Sequence, residues 1–155
     1  MNELLNFAKA SPGAVTALRS VETYVRGCGL DTTLLELVKT RASQINGCAY
    51  CLDMHSKDAR AAGESEQRLY TLPAWRDAPF YSKRERAALA WTEAVTRLAD
   101  GPVPESLYGE LREHFSEKEA VDLTMAVIAI NGWNRLCATF RSPTPGSYQP
   151  RKAAG

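Results

Sequence analysis

No apolar stretch in this 155-residue chain is longer than the six residues from Met125 to Ile130, well short of the 18 or more that a membrane-spanning helix requires. No membrane partner is expected. Charge of one sign is also missing: 19 Lys and Arg stand against 18 Asp and Glu, a net charge of +1, scattered rather than gathered on one basic face. Nucleic acid is therefore not an expected partner. Alternating strand patterns between Gly- or Pro-marked turns are scarce, which argues against sandwiches, barrels and wound sheets. The four cysteines are too few and too uneven for a secreted disulfide scaffold, and the chain starts without a basic region followed by an apolar one. A soluble, cytoplasmic protein is the expectation. At this length folding buries roughly 70% of the unfolded surface, so neither a disulfide framework nor a metal is needed to hold the chain together.

Apolar spacing of the helical kind recurs instead, and the chain reads as all-α, with about seven or eight helices. Ser11-Pro12 opens a helix through Val15, Leu18, Val21 and Val25 that stops near Gly27 to Gly29. Asp31 caps the next, whose stripe of Leu34, Leu35, Leu37, Val38, Ala42 and Ile45 ends at Asn46-Gly47. A third begins at about Cys48 and runs to Gly63, turning Leu52, Ala59 and Ala62 inward. Ser65 caps a short helix toward Leu72, and Pro73, Trp75, Pro79, Phe80 and Tyr81 mark a loop expected to act as a hinge. Ser82 with Glu85, and Ser116 with Glu119, match capping boxes that open two further helices, with a shorter one from Pro104 to about His114 between them. The last helix is apolar nearly all round between Leu123 and Phe140, so it is expected at the centre of the core and at a subunit interface. The domain boundaries read as one domain over 1–141 and a mobile tail over 142–155.

Chemistry concentrates at the start of the third helix. Cys48 and Cys51, at i and i+3 on a first helical turn, bring their Cα atoms to roughly 5 Å, within disulfide range. A helix terminus after Asn-Gly is expected to be an exposed, electropositive place, where free N–H groups and the positive end of the helix dipole favour thiolate. His55, one turn beyond Cys51, shares that face and is an imidazole able to take a thiol proton near neutral pH. The preceding helix must fold back against this one, and its acid Glu36 lies amid Leu34, Leu35, Leu37 and Val38. A carboxylate in such surroundings acquires a raised pKa or a cationic partner, and here it can orient His55 or relay its proton. Zinc is the rival: Cys48, Cys51 and His55 supply three ligands, but there is no second Cys-x-x-Cys or His pair to complete a closed site, and Cys28, Cys137, Glu36 and His114 are the only spare ligands. Cys28 and Cys137 have no partner at motif spacing and read as inert, buried thiols.

Glu36, eleven residues, Cys48-Ala49-Tyr50-Cys51, three residues and His55 form a pattern that resembles the core motif of the AhpD-like alkylhydroperoxidases, within the carboxymuconolactone decarboxylase superfamily. Ser82 to Ala90 and Ile130 to Leu136 are similar to its single-repeat members too, so the resemblance covers roughly residues 30–141. It implies an AhpD-like helical bundle that assembles as a homo-oligomer, trimer or hexamer, and a thiol-dependent peroxidase acting on hydroperoxides. It further implies that Cys51 attacks the peroxide, Cys48 resolves the sulfenic acid to a disulfide, Glu36 and His55 relay protons, and an external dithiol or redox protein reduces the pair. No metal or cofactor is implied. Tyr50 departs from the best-known members, which carry His beside the second cysteine; a phenol is no base at neutral pH. A redox or zinc-binding sensor without catalysis, or a protein disulfide reductase, would use the same dithiol.

Overall fold

The computed structural model describes residues 2–150. Among them are eight α-helices and no strand: α1 (Phe7–Ala10), α2 (Pro12–Gly27), α3 (Thr32–Ile45), α4 (Ala49–Ala61), α5 (Glu66–Thr71), α6 (Lys83–Thr96), α7 (Glu105–Arg112) and α8 (Glu117–Phe140). Short 3₁₀ turns occupy Leu72–Ala74 and Leu98–Asp100. Local chemistry sets most of these starts. Asp31 accepts from the Leu34 amide at 3.1 Å and Ser65 from that of Arg68 at 3.2 Å, each satisfying a donor the helix leaves free. Both capping boxes close: the Glu85 carboxylate accepts from Ser82 N–H at 2.7 Å, and that of Glu119 from Ser116 N–H at 2.8 Å. Ser11 stands at the N-cap of α2 but makes no side-chain cap bond, leaving Pro12 to set that start.

The helix at the centre is α3 rather than α8. It packs against α4, α6 and α8 and buries Leu34, Leu35, Leu37, Val38 and Ala42, together with Glu36, Lys39, Thr40 and Ser43. Three of these four buried polar side chains have partners on other helices, while the Thr40 hydroxyl has none among the described residues. Lys39 is paired with Glu22 of α2, Glu36 with His55 of α4, and Ser43 with Asn134 of α8. Helix α8 packs Leu123, Val127 and Ile130 into the core but leaves Val121 and Ile128 exposed, so a single copy of the chain does not cover it. On α4, Ala59 is buried as expected and Leu52 is half-buried, while Ala62, the residue that caps its C-terminus, is exposed.

The connection expected to be a hinge is packed instead. Leu72, Trp75 and Tyr81 are buried with Leu37 and Leu89, and the Trp75 indole donates to Glu93 at 2.9 Å. Aromatics at that density supply a core of their own. The segment from Ser142 to Pro150 lies along α4. Gly146 N–H donates to Asp53 at 3.2 Å, Lys57 donates to the Tyr148 carbonyl at 3.0 Å, and the Tyr148 hydroxyl donates to Asp58 at 2.7 Å. The remainder of the expected tail, 151–155, lies outside the described residues.

Candidate active site

Helix α3 ends at Asn46-Gly47, where Gly47 takes φ 63°, a left-handed conformation that reverses the chain without a Cβ penalty. The Cys48 amide then donates to the Ser43 carbonyl at 3.1 Å. The Asn46 side-chain amide donates to Asn131 at 2.6 Å and Asn134 at 2.8 Å, tying the turn to α8. Two helices, α3 and α8, thus hold the turn before the Cys-x-x-Cys.

Cys48 is the N-cap of α4, its sulfur accepting from the Cys51 amide at 3.4 Å, and the two cysteines are joined by a disulfide with Cα atoms 5.4 Å apart. Both sulfurs are buried, unlike the exposed helix end expected from Asn-Gly, because α8 and the α1–α2 corner cover them: Phe7, Val15, Ala42, Ile130 and Cys137 form one apolar cluster with the pair. Access runs through a cavity of about 320 Å³ walled by Phe7, Val15, Met54 and Trp133, into which Cys51, His55 and Tyr50 project. Cys48 is not among its lining residues. Burial raises the Tyr50 pKa, so its phenol stays neutral and can only offer a hydrogen bond.

His55 is buried and its Nδ1 lies 2.8 Å from Glu36 Oε2. Burial works to raise the Glu36 pKa, but the bond from His55 and the charges of His55, Lys39 and Arg26 outweigh it and hold the carboxyl below its usual range. Of the two outcomes expected for a carboxylate at this position, the raised pKa is not realised: Glu36 is held ionised by its hydrogen bond with His55 and by the nearby Lys39 and Arg26. An ionised Glu36 only accepts, so Nδ1 carries a proton toward it and Nε2 is the nitrogen left to act as a base. Asp58, one turn further along α4, offers an oxygen within 4.8 Å of both groups and is held by Tyr148.

The four residues singled out by spacing therefore meet in pairs, Glu36 with His55 and Cys48 with Cys51, and one member of each pair, His55 and Cys51, lines the same cavity. The zinc grouping differs from expectation. His55 clusters with Glu36 and Asp58, whereas the sulfurs of Cys48 and Cys51 are joined within 4.8 Å by that of Cys137 on α8. Cys137, Asp58 and Tyr148 were not expected here. Their proximity depends on how α8 and the C-terminal segment cross α4, and no local spacing encodes that; an unpaired cysteine on an apolar helix face was the single available sign.

The model of the carboxymuconolactone decarboxylase family matches residues 10–94. Among curated proteins, the uncharacterized YdfG of Bacillus subtilis is 41% identical over 136 residues, 88% of this chain and 92% of that protein. YnjA of Escherichia coli, also uncharacterized, is 31% identical over 113 residues, covering 73% of this chain and 59% of that protein. Among solved structures, ATU0492 of Agrobacterium tumefaciens, a protein of unknown function named as a candidate antioxidant defence protein AhpD, superposes with a TM-score of 0.90 at 46% identity, over 93% of this chain and 99% of that one. A peroxidase-related protein of Ralstonia eutropha shares the fold, with a TM-score of 0.79 at 21% identity over 91% and 75% of the two chains.

Proposed function

The chain belongs to the carboxymuconolactone decarboxylase family, and from that premise we propose that it is a thiol-dependent peroxidase that reduces organic hydroperoxides through a Cys48–Cys51 dithiol/disulfide cycle. The observation that carries this reading is the redox pair on the first turn of α4, with Cys51 facing a largely apolar cavity shared with a His55 that is hydrogen-bonded to Glu36. An apolar chamber suits the organic part of an alkyl hydroperoxide.

In the reduced protein His55 Nε2 takes the Cys51 proton, and the thiolate attacks the terminal oxygen of the peroxide. The O–O bond breaks, the alkoxide leaves with the proton returned by His55, and Cys51 becomes a sulfenic acid. The Cys48 thiol condenses with it, releasing water and forming the disulfide. A dithiol or redox protein restores both thiols by exchange, so one hydroperoxide and one dithiol yield an alcohol, water and one disulfide. The assignment of attack to Cys51 is supported by its place on the cavity wall, where Cys48 is absent. Glu36 is a positioning residue in this scheme: its charge fixes the tautomer of His55 and stabilises the imidazolium that forms.

In this reading the protein works in the cytoplasm, a reducing compartment that supplies its dithiol partner. In the same reading Val121 and Ile128, exposed one heptad apart on α8, face further copies in a trimer or hexamer. Ile128→Glu then yields monomers in light scattering, and an unchanged mass disproves that interface. For the activity itself, Cys51→Ser abolishes turnover of cumene hydroperoxide with dithiothreitol; undiminished turnover overturns the proposal.

A further inference from the structure

Three sulfurs converge at the site, not two. Those of Cys48, Cys51 and Cys137 all lie within 4.8 Å of one another, and Cys137 is a free thiol beside the Cys48–Cys51 disulfide. A second feature is independent of that proximity: Cys137 and Cys51 line the same cavity, and Cys48 does not. An oxygen added to Cys51 from the cavity side therefore sits in the space Cys137 borders. The other lining residues, among them Phe7, Met54 and Trp133 with the charged Arg19, Glu22 and Arg26 of α2, carry no thiol.

We propose that Cys137 is a second resolving thiol, which captures the Cys51 sulfenic acid as a Cys51–Cys137 disulfide whenever Cys48 has not done so. The inference rests on the peroxidase reading and deepens it. The Cys137 thiol gives up its proton and attacks the Cys51 sulfur, the S–O bond breaks, and the hydroxyl leaves as water. Sulfenic sulfur is reduced by one electron and thiol sulfur oxidised by one, so no outside oxidant or reductant enters. Attack by the Cys48 thiolate on the Cys51 sulfur then expels Cys137 as a thiolate and restores the Cys48–Cys51 pair.

The two partners are unequal. Cys48 sits at the N-terminus of α4 in direct register with Cys51, whereas burial pushes the Cys137 thiol up to about 11. Cys48 acts first, and Cys137 intercepts the fraction that would otherwise meet a second peroxide and pass to the sulfinic acid.

The test uses the full chain with Cys48→Ser, which places serine, a favoured capping residue, at the α4 N-cap and so keeps the helix start. The reduced variant receives one equivalent of cumene hydroperoxide and is mapped by peptide mass spectrometry, beside Cys48→Ser/Cys137→Ala with dimedone as a sulfenic acid trap. The proposal expects a peptide linking 51 to 137 in the single variant, lost in the double variant and replaced there by a dimedone adduct on Cys51 and, with more peroxide, its sulfinic acid. Equal trapping and equal sulfinic acid in the two variants, with no linked peptide, overturns the role of Cys137 while leaving the peroxidase reading intact. No oxidation of Cys51 in either variant overturns both.

Discussion

Glu36→Gln is the sharpest probe of how the site handles protons. The substitution keeps the volume and an oxygen able to accept from His55 Nδ1, but it removes the negative charge from a bond of 2.8 Å between two buried groups. A hydrogen bond to a charged group contributes about 1.5–3 kcal/mol, against about 0.5–1.5 for a neutral one. The difference, about 1–1.5 kcal/mol expressed when the imidazolium forms, lowers turnover by about fivefold to twelvefold at 1.4 kcal/mol per factor of ten. The assay is hydroperoxide consumption with dithiothreitol in excess, with circular dichroism to show that the helices persist. Because Glu36 acts through His55, Glu36→Gln added to His55→Gln costs no more than about another twofold, the signature of groups that work as a unit. Full activity in Glu36→Gln, or losses that multiply in the double variant, refutes this reasoning.

Elsewhere the fold offers independent checks. Asn134 accepts from Asn46 and donates to Ser43 in the interior, so Asn134→Ala strands the buried Ser43 hydroxyl while Asn46 keeps Asn131, and lowers stability by about 1–3 kcal/mol in urea unfolding. Ser116→Ala removes an N-cap and costs about 1 kcal/mol by the same measurement. Glu119 has its pKa pulled down to about 2, first by the Ser116 backbone amide and then by Arg84. A lowered folded-state pKa stabilises above the ordinary carboxyl value and loses that contribution as pH falls toward 2, so wild type and Glu119→Gln differ at pH 7 and converge in strong acid.

Legibility in the sequence followed the range of the interactions. Caps at Asp31, Ser65, Ser82 and Ser116 are local chemistry within one turn, and each appears where residue order places it. The same holds for the Cys-x-x-Cys, whose i, i+3 geometry is a property of the helix alone. Glu36 and His55 were reachable because a two-residue turn leaves α3 and α4 little choice but to fold together. Hydrophobicity misled about the centre: α8 is the more apolar helix, yet α3 is the one enclosed, its Lys39, Glu36 and Ser43 each answered by a distant partner. Such answers are invisible to periodicity, which counts a buried, paired lysine as a solvent-facing one. Cys137 was passed over for the same reason, since its meeting with Cys51 is fixed by helix crossing rather than by spacing.

Thiol counting after stoichiometric oxidation tests the central claim most directly. One equivalent of cumene hydroperoxide added to the fully reduced protein should consume two thiols, release one equivalent of cumyl alcohol and leave a single peptide pair joined through 48 and 51. Four thiols still free with the peroxide intact would contradict the account.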